Sequence, residues 1–257
     1  MQKKTVGIVD SKKIKLWEME RVDSKIIQGF KELGDSGGLV ARALDQFGIN
    51  GTVPSVILPA VKPDSKVVGS ALTVRSIPER EIPYRYWKRY ELTRLGEREA
   101  YFLAKEGDVV VIDGSSVYPA SNLGSMSVAL AASLGISGII VDGTVTGLDG
   151  IRAAKIPVWA RGGTTITGHH RTETIEINGP IGICGVRVEP GDLMVADGSG
   201  VTVVPRSIAG EVLKLCVKLS GSGKKIKNMI EKNADRQELQ KELECTMKAI
   251  SESQKDF

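Results

Sequence analysis

Three observations predict an α/β fold with flanking helices and a C-terminal helical extension. Two near-continuous aliphatic runs, DVVVIDG (108–114) and SGIIVDG (137–143), enclose a helix-like segment of small residues. Short β-branched runs broken by Gly and Pro lie on either side of them, and a long, highly charged stretch follows Pro205. The first observation is the mark of a βαβ unit with a buried parallel pair, because strands covered on both faces read as unbroken aliphatic runs.

Residues 22–33 (VDSKIIQGFKEL) and 37–47 (GGLVARALDQF) space their apolar residues at helical intervals, the second after Asp35 and Ser36 as N-cap candidates. VPSVILP (53–59) and KVVGSALTVRSI (66–77) read as strands. Residues 79–107 are charged and aromatic, with a helix expected in the second half. SSVYPASNL (115–123) reads as a loop, and GSMSVALAASLG (124–135) as a helix closed by Gly135. GLDGIRAAKI predicts a further helix and PVWARG a strand. Residues 174–205 carry hairpin-like strands with turns at Glu189-Pro190-Gly191-Asp192 and Asp197-Gly198. Beyond Arg206, SIAGEVLKLCVKL predicts a helix, SGSGKK a flexible break, and residues 226–250 a charged helix, either a solvated arm or a contact with a neighbouring subunit. The expected division is 1–206 as the α/β domain and 207–257 as the extension.

Composition narrows the classes. A chain of 257 residues, 41% hydrophobic, can bury a core for one large domain or two small ones. Its net charge of +4, from 35 basic and 31 acidic residues, is too weak and scattered for a nucleic-acid footprint. Cys184, Cys216 and Cys245 are far apart and without CxxC spacing, so neither a disulfide framework nor a zinc site is indicated, and a reducing cytoplasm is expected. No run reaches the roughly 18 apolar residues of a membrane span, and the polar start lacks a signal-peptide core.

The chemistry-bearing residues are few. The SNLGSMS junction (121–127) opens a helix whose free N–H groups, with Ser125 and Ser127 nearby, can bind a carboxylate or phosphate; ordinary capping by Asn122 or Ser125 is the alternative. GGTTITGHHRTE (162–173) holds the two histidines, His169 and His170, beside Arg171. One His as general acid/base with Arg171 as anion clamp is one reading, and a surface loop with incidental histidines is the other. IPYRYWKRYE (82–91) crowds Tyr84, Tyr86, Trp87 and Tyr90 among basic residues. A subunit interface ranks first there, a ligand lid second and single-stranded nucleic acid third. No GxSxG follows a strand, and Cys184, in an alternating run, reads as core.

The succession GSALTVRS, GDVVVIDG, NLGSMSVALAASLGISGIIVDG, IPVWARG and GVRVEPGDLMVADGSGVTVVP resembles the RraA-like family over roughly residues 35–210. That family includes divalent-metal 4-hydroxy-4-methyl-2-oxoglutarate/4-carboxy-4-hydroxy-2-oxoadipate aldolases and the regulator of ribonuclease E activity A. The resemblance implies a layered or barrel-like β core, a trimer or hexamer with sites between subunits, and substrate held at the SNLGSMS junction. It also implies an Asp or Glu, a fixed spacer and then Arg-Asp, the Arg gripping a 2-oxo acid and the carboxylate holding a metal such as Mg²⁺. An ungapped register through Gly124, Gly135, Asp142, Gly143 and Pro157 puts Ser125, Thr146 and Gly147 at those positions. All three charges are missing, so no metal ligand is assigned.

The expected reading is a divergent lyase-type enzyme for a small carboxylated substrate, with altered or no metal dependence; a non-catalytic protein-binding regulator on the same oligomeric scaffold is the alternative. Candidate catalytic residues are His169, His170 and Asp142, although a strand-terminal Asp-Gly also serves as a turn cap. Candidate substrate-binding residues are Asn122, Gly124, Ser125, Met126, Ser127, Thr144, Thr146, Arg171, Tyr86 and Trp87.

Overall fold

A computed structural model describes residues 9, 12–33 and 37–252, with side chains as far as residue 246. After β1 (Lys15–Leu16) come two helices, α1 (Ser24–Glu32) and α2 (Gly37–Gln46). Asp23 caps α1 by accepting from the Lys25 N–H at 2.8 Å. The expected α2 caps, Asp35 and Ser36, lie outside the described residues; the Gly37 N–H donates to the Asp197 carboxylate at 2.9 Å. The strands β2 (Thr52–Pro54) and β3 (Val67–Pro78) follow. Strand pairing ends at Pro54, whose carbonyl accepts from the Ile57 and Leu58 N–H groups, so SVIL forms a turn rather than the expected strand.

The charged segment contains the expected helix, α4 (Glu97–Leu103), preceded by an unexpected short one, α3 (Pro83–Lys88), with proline in its first turn. Then come β4 (Val109–Asp113), β5 (Ser121–Gly124), α5 (Ser125–Ser133), β6 (Gly138–Thr146), α6 (Leu148–Ala153) and β7 (Val158–Gly163). β5 lies inside the segment expected to be loop. The body closes with β8 (Thr172–Ile177), β9 (Ile181–Ile183), β10 (Val186–Val188), β11 (Leu193–Asp197) and β12 (Gly200–Val204).

Among the described residues the main sheet runs β2-β12-β11-β3-β4-β6-β5, with β7 on β6, β8 on β3 and β1 on β8. The β3, β4, β6 and β7 neighbours are parallel, as the two aliphatic runs require. β3 gives one edge to β11 along residues 67–70 and to β8 along 74–78, so the sheet branches and curls into a half-barrel.

Its concave face packs Ala71, Val109, Val111, Ile140 and Trp159 against the β9–β10 hairpin. The convex face packs Leu72, Val110, Ile139 and Val141 under α4, α5 and α6. A third cluster joins α1 and α2 to α7 (Ala209–Glu231). α7 continues through SGSGKK, contrary to the expected break. Gly221 and Gly223 each cost about 1 kcal/mol, which does not stop a helix anchored by Val212, Leu215, Cys216 and Leu219. The chain breaks instead at 232–235, before α8 (Arg236–Glu252). No described helix is long and apolar enough to cross a membrane.

Candidate functional site

The sheet delivers the chemistry to the C-terminal ends of its parallel strands, where backbone direction changes and side chains are released from packing. β4 and β5 share one edge of β6, β4 beside residues 138–142 and β5 beside 144–146. The SNLG strand therefore lies directly against the end of β6, which continues through DGTVT instead of ending at the expected Asp142-Gly143. Gly124 is paired with Thr146, and a Cβ on Gly147 would come within 2.9 Å of the Ser125 hydroxyl. The register inferred from the sequence brings Ser125, Thr146 and Gly147 into one small region.

Gly147 has φ +74°, the left-handed conformation, as it enters α6. A side chain there meets both an unfavourable backbone, about 1–2 kcal/mol for an L-residue, and Ser125. Gly147→Asp alone is expected to lower stability by about 1–2 kcal/mol in urea unfolding, with Gly147→Asn at the lower end because Asn tolerates this conformation. The donors at the three positions are two hydroxyls and no side chain. They do not fit a hard divalent cation, which takes carboxylate oxygen, and no group of three His, Cys, Asp or Glu among the described residues could hold one.

The start of α5 has no side-chain cap, so its first N–H groups keep their donor capacity; Met126 beside them is exposed. Asn122, one of the two proposed caps, is turned away. Its amide is 0% exposed and neither polar atom has a partner among the described residues. It sits between the glycines of the two Asp-Gly pairs: a Cβ on Gly114 would lie 2.2 Å from Asn122 Oδ1, and one on Gly143 would lie 2.4 Å from Nδ2. Those glycines are required by the amide that fills the space beside them. Thr144 bonds the Pro119 and Ala120 carbonyls at 3.0 Å each.

Ser127, on the buried side of α5, donates to buried Glu97 at 2.8 Å and lies 3.2 Å from the Tyr101 hydroxyl. Burial pushes the Glu97 carboxyl above the ordinary glutamate range, against the Ser127 bond and the Arg98 charge. The native state therefore binds this proton more tightly than the unfolded chain. The contribution is complete below the unfolded value of about 4.3 and is lost as pH rises through the raised native value. Glu97→Gln is expected to remove this loss, so thermal melts should show the variant gaining on the parent as pH rises from 5 to 8.

The histidine loop lies along the outer side of β5. The Ser121 N–H donates to the Ile166 carbonyl at 2.9 Å, and a Cβ on Gly168 would lie 1.9 Å from the Ser121 carbonyl oxygen. His170 is buried, stacked on Tyr86 at 5.4 Å and edge-on to Trp87 at 6.2 Å, with no partner for Nδ1 among the described residues. Thus Tyr86, Trp87 and His170 form one cluster; Tyr86 donates to Glu79 at 2.8 Å, and Trp87, Tyr84 and Tyr90 remain exposed. His169 is exposed, and partial burial followed by the Arg98 charge lowers its imidazole pKa, favouring the neutral, proton-accepting form. Arg171 Nη1 donates within its own loop to the Thr167 carbonyl at 3.1 Å.

Asp142 does not join these groups. It is 1% exposed on the concave side, where Oδ1 accepts a short hydrogen bond from Arg161 Nε and Oδ2 accepts from the Cys184 N–H at 2.6 Å. Cys184 is not in a strand: with Gly185 it forms the two-residue turn of the β9–β10 hairpin, both at positive φ. Burial, then the Asp142 charge, pushes its thiol up to about 12, so it stays protonated and unreactive at neutral pH. Arg161, Asp113 and Glu97 were not singled out in the sequence. Asp113 ends the VVVID run and Arg161 stands inside VWARGG, positions shared by many surface charges, and only strand register sets both beside Asp142.

The family model described as RraA-like, Aldolase/RraA, matches residues 31–203. A protein of Halalkalibacterium halodurans named provisionally as a 4-hydroxy-4-methyl-2-oxoglutarate aldolase is 38% identical over 116 residues, 45% of this chain and 55% of that protein. The chain thus spans about half the length of that relative. An uncharacterized protein of Methanocaldococcus jannaschii is 27% identical, over 70% of this chain and 80% of its own. The crystal structure of Streptomyces coelicolor RraAS2, described as an unusual member of the RNase ES inhibitor RraA protein family, superimposes with TM-score 0.67 at 26% identity. It covers 80% of this chain and 98% of that one. An uncharacterized Pseudomonas syringae protein gives TM-score 0.72 at 24% identity, covering 86% and 99%.

Proposed function

Because the chain belongs to the RraA-like family, we propose that it is a divergent enzyme of that family, acting on a small carboxylated substrate by lyase-type chemistry without the family's usual metal arrangement. Aldol cleavage, decarboxylation and related enolate or proton-transfer steps are the reactions within this reading. The observation that carries it is the uncapped start of α5, where Gly124 and Ser125 are half-buried beside Thr146 and Met126 is exposed. A carboxylate at that point accepts hydrogen bonds from several N–H groups and is favoured by the helix dipole. Neutral His169, with His170 and Arg171 on the loop against β5, is the candidate proton-transfer group.

The wider reading places the chain in the cytoplasm as a homo-oligomer, a trimer or hexamer, with 1–206 as the α/β domain with its N-terminal helices and 207–257 as a helical extension. Nucleic acid is not an expected partner. The test is calorimetric titration and turnover with a panel of 2-oxo and hydroxy acids, with and without Mg²⁺ or Mn²⁺. Binding and turnover that ignore the cation are expected; neither binding nor turnover with any acid would overturn the proposal.

The lost charges at 125, 146 and 147 also favour a second reading, a regulator that binds another protein through the same scaffold. Recovery of a stoichiometric partner by a protein that binds no acid would favour it. Restoring the triad with Ser125→Asp, Thr146→Arg and Gly147→Asp separates divergence from conventional metal-dependent aldolase activity, because only a divergent parent would gain cation dependence.

A further inference from the structure

The strand registers reveal a feature that no single segment shows. Glu176 on β8 pairs with Arg75 on β3, Arg75 with Asp113 on β4, and Asp113 with Asp142 on β6. Val141 pairs with Ala160, which sets Arg161 of β7 beside Asp142. Five charged residues thus stand at one level across five neighbouring strands. In-register residues of parallel strands share a face, and here it is the concave one, since Ala71, Val111, Ile140 and Trp159 at matching parity belong to the core under the hairpin. The row caps that core at the mouth of the half-barrel.

Most of the row is spent on itself. Arg75 pairs with Glu176 at 3.4 Å and bonds the Pro180 carbonyl at 3.2 Å, while both oxygens of Asp142 are used by Arg161 and Cys184. Two groups are only half used. Arg161 commits Nε, and neither Nη atom has a partner among the described residues, although its side chain is 37% exposed. Asp113 accepts from the Ser115 hydroxyl and N–H through Oδ1 at 2.9 and 3.3 Å, leaving Oδ2 without a partner among the described residues. Their strands are two apart, about 9–10 Å, and Asp142, on the strand between them, holds Arg161 by Nε. The Cys184 N–H, bonded to Asp142 Oδ2 at 2.6 Å, brings the hairpin turn to this row.

We propose that Arg161 and Asp113 form a subsite for a hydroxy acid: the Arg161 Nη groups grip the carboxylate while Asp113 Oδ2 accepts the hydrogen bond of the neighbouring hydroxyl. Resting on the reading that the substrate is carboxylated, this adds which acid and which residues hold it. A guanidinium fixed at Nε is a prepared fork for carboxylate, because its orientation is set before the ligand arrives. Asp113, being an acceptor only, favours a ligand with a hydroxyl beside its carboxylate and disfavours a second carboxylate.

The test is calorimetric titration of the full-length protein with lactate and with propionate, which lacks the hydroxyl. Lactate is expected to bind more tightly. Asp113→Asn should reduce that preference about tenfold, and Arg161→Gln should weaken both acids about tenfold, the effect of losing one charge-assisted hydrogen bond. Because Arg161→Gln disturbs a buried partner, a second measurement uses the unaltered protein: lactate should protect Arg161 from modification by phenylglyoxal, mapped by peptide mass spectrometry. Ser125→Glu, which sets a carboxylate at the α5 N-terminus, separates the two sites. Binding lost in Ser125→Glu but unchanged in Arg161→Gln and Asp113→Asn overturns this inference and leaves the α5 reading standing. The reverse pattern supports the inference and moves the substrate away from α5. Failure of the parent to bind either acid overturns this inference, and the α5 reading falls only if the wider acid panel also fails.

Discussion

Replacing Trp159 by alanine is expected to cost about 3–5 kcal/mol of folding stability, the range for deleting a large buried aromatic. Trp159 is fully buried in the concave core with Val111, Ile140, Ile183 and Met194, and its indole Nε1 donates to the Asp197 carbonyl at 3.1 Å. Asp197 also holds the start of α2 through the Gly37 N–H and the β11–β12 turn through the Ser199 N–H at 2.8 Å. The truncation opens a cavity under the hairpin and unties the strand end that carries these bonds. Urea unfolding measures the loss. Trp159→Phe keeps most of the volume but not the hydrogen bond, so about 1–2 kcal/mol is expected. Equal losses for the two variants would show that packing under the hairpin contributes little.

The order of strands and helices was legible because it depends on local pattern. The unbroken VVVI and GIIV runs require burial on both faces, and small residues between them require a close helix, which is how β4, α5 and β6 are arranged. Short elements inside polar text were less legible. α3 carries a charged, aromatic sequence with no clear apolar stripe, and β5 exists because β6 extends through Thr146 and offers it an edge. The continuity of α7 through SGSGKK was hidden for a related reason: helix-breaking composition acts locally, whereas the anchoring contacts come from α1 and α2.

The candidate site divides in the same way. Ser125, Thr146 and Gly147 could be placed together because an ungapped alignment carries spacing directly. The functions of Asn122 and Ser127 could not, since which way a side chain turns at a strand-to-helix junction depends on the glycines and carboxylates opposite it. The sequence showed Asp142 as a strand-terminal carboxylate next to glycine, but its partners Arg161 and Cys184 lie 19 and 42 residues away. Cross-strand register, which sequence pattern leaves open, supplies both.

Asp142→Asn is expected to lower stability by about 2–4 kcal/mol, because a buried acceptor of two charge-assisted hydrogen bonds becomes a group with one oxygen and one donor. The amide satisfies either Arg161 Nε or the Cys184 N–H and presents its own N–H to the other. Release of the Cys184 N–H loosens a turn held with a non-glycine residue at φ +48°, and release of Arg161 frees the guanidinium to rotate into solvent. Arg161→Gln removes the same ion pair from the other side. The double variant should therefore cost less than the sum of the two single losses, the mark of residues that share one interaction. Chemical denaturation of all four proteins gives the coupling directly. Strict additivity would mean that Asp142 stabilises the hairpin turn alone and that Arg161 is held at the half-barrel mouth by something other than this carboxylate.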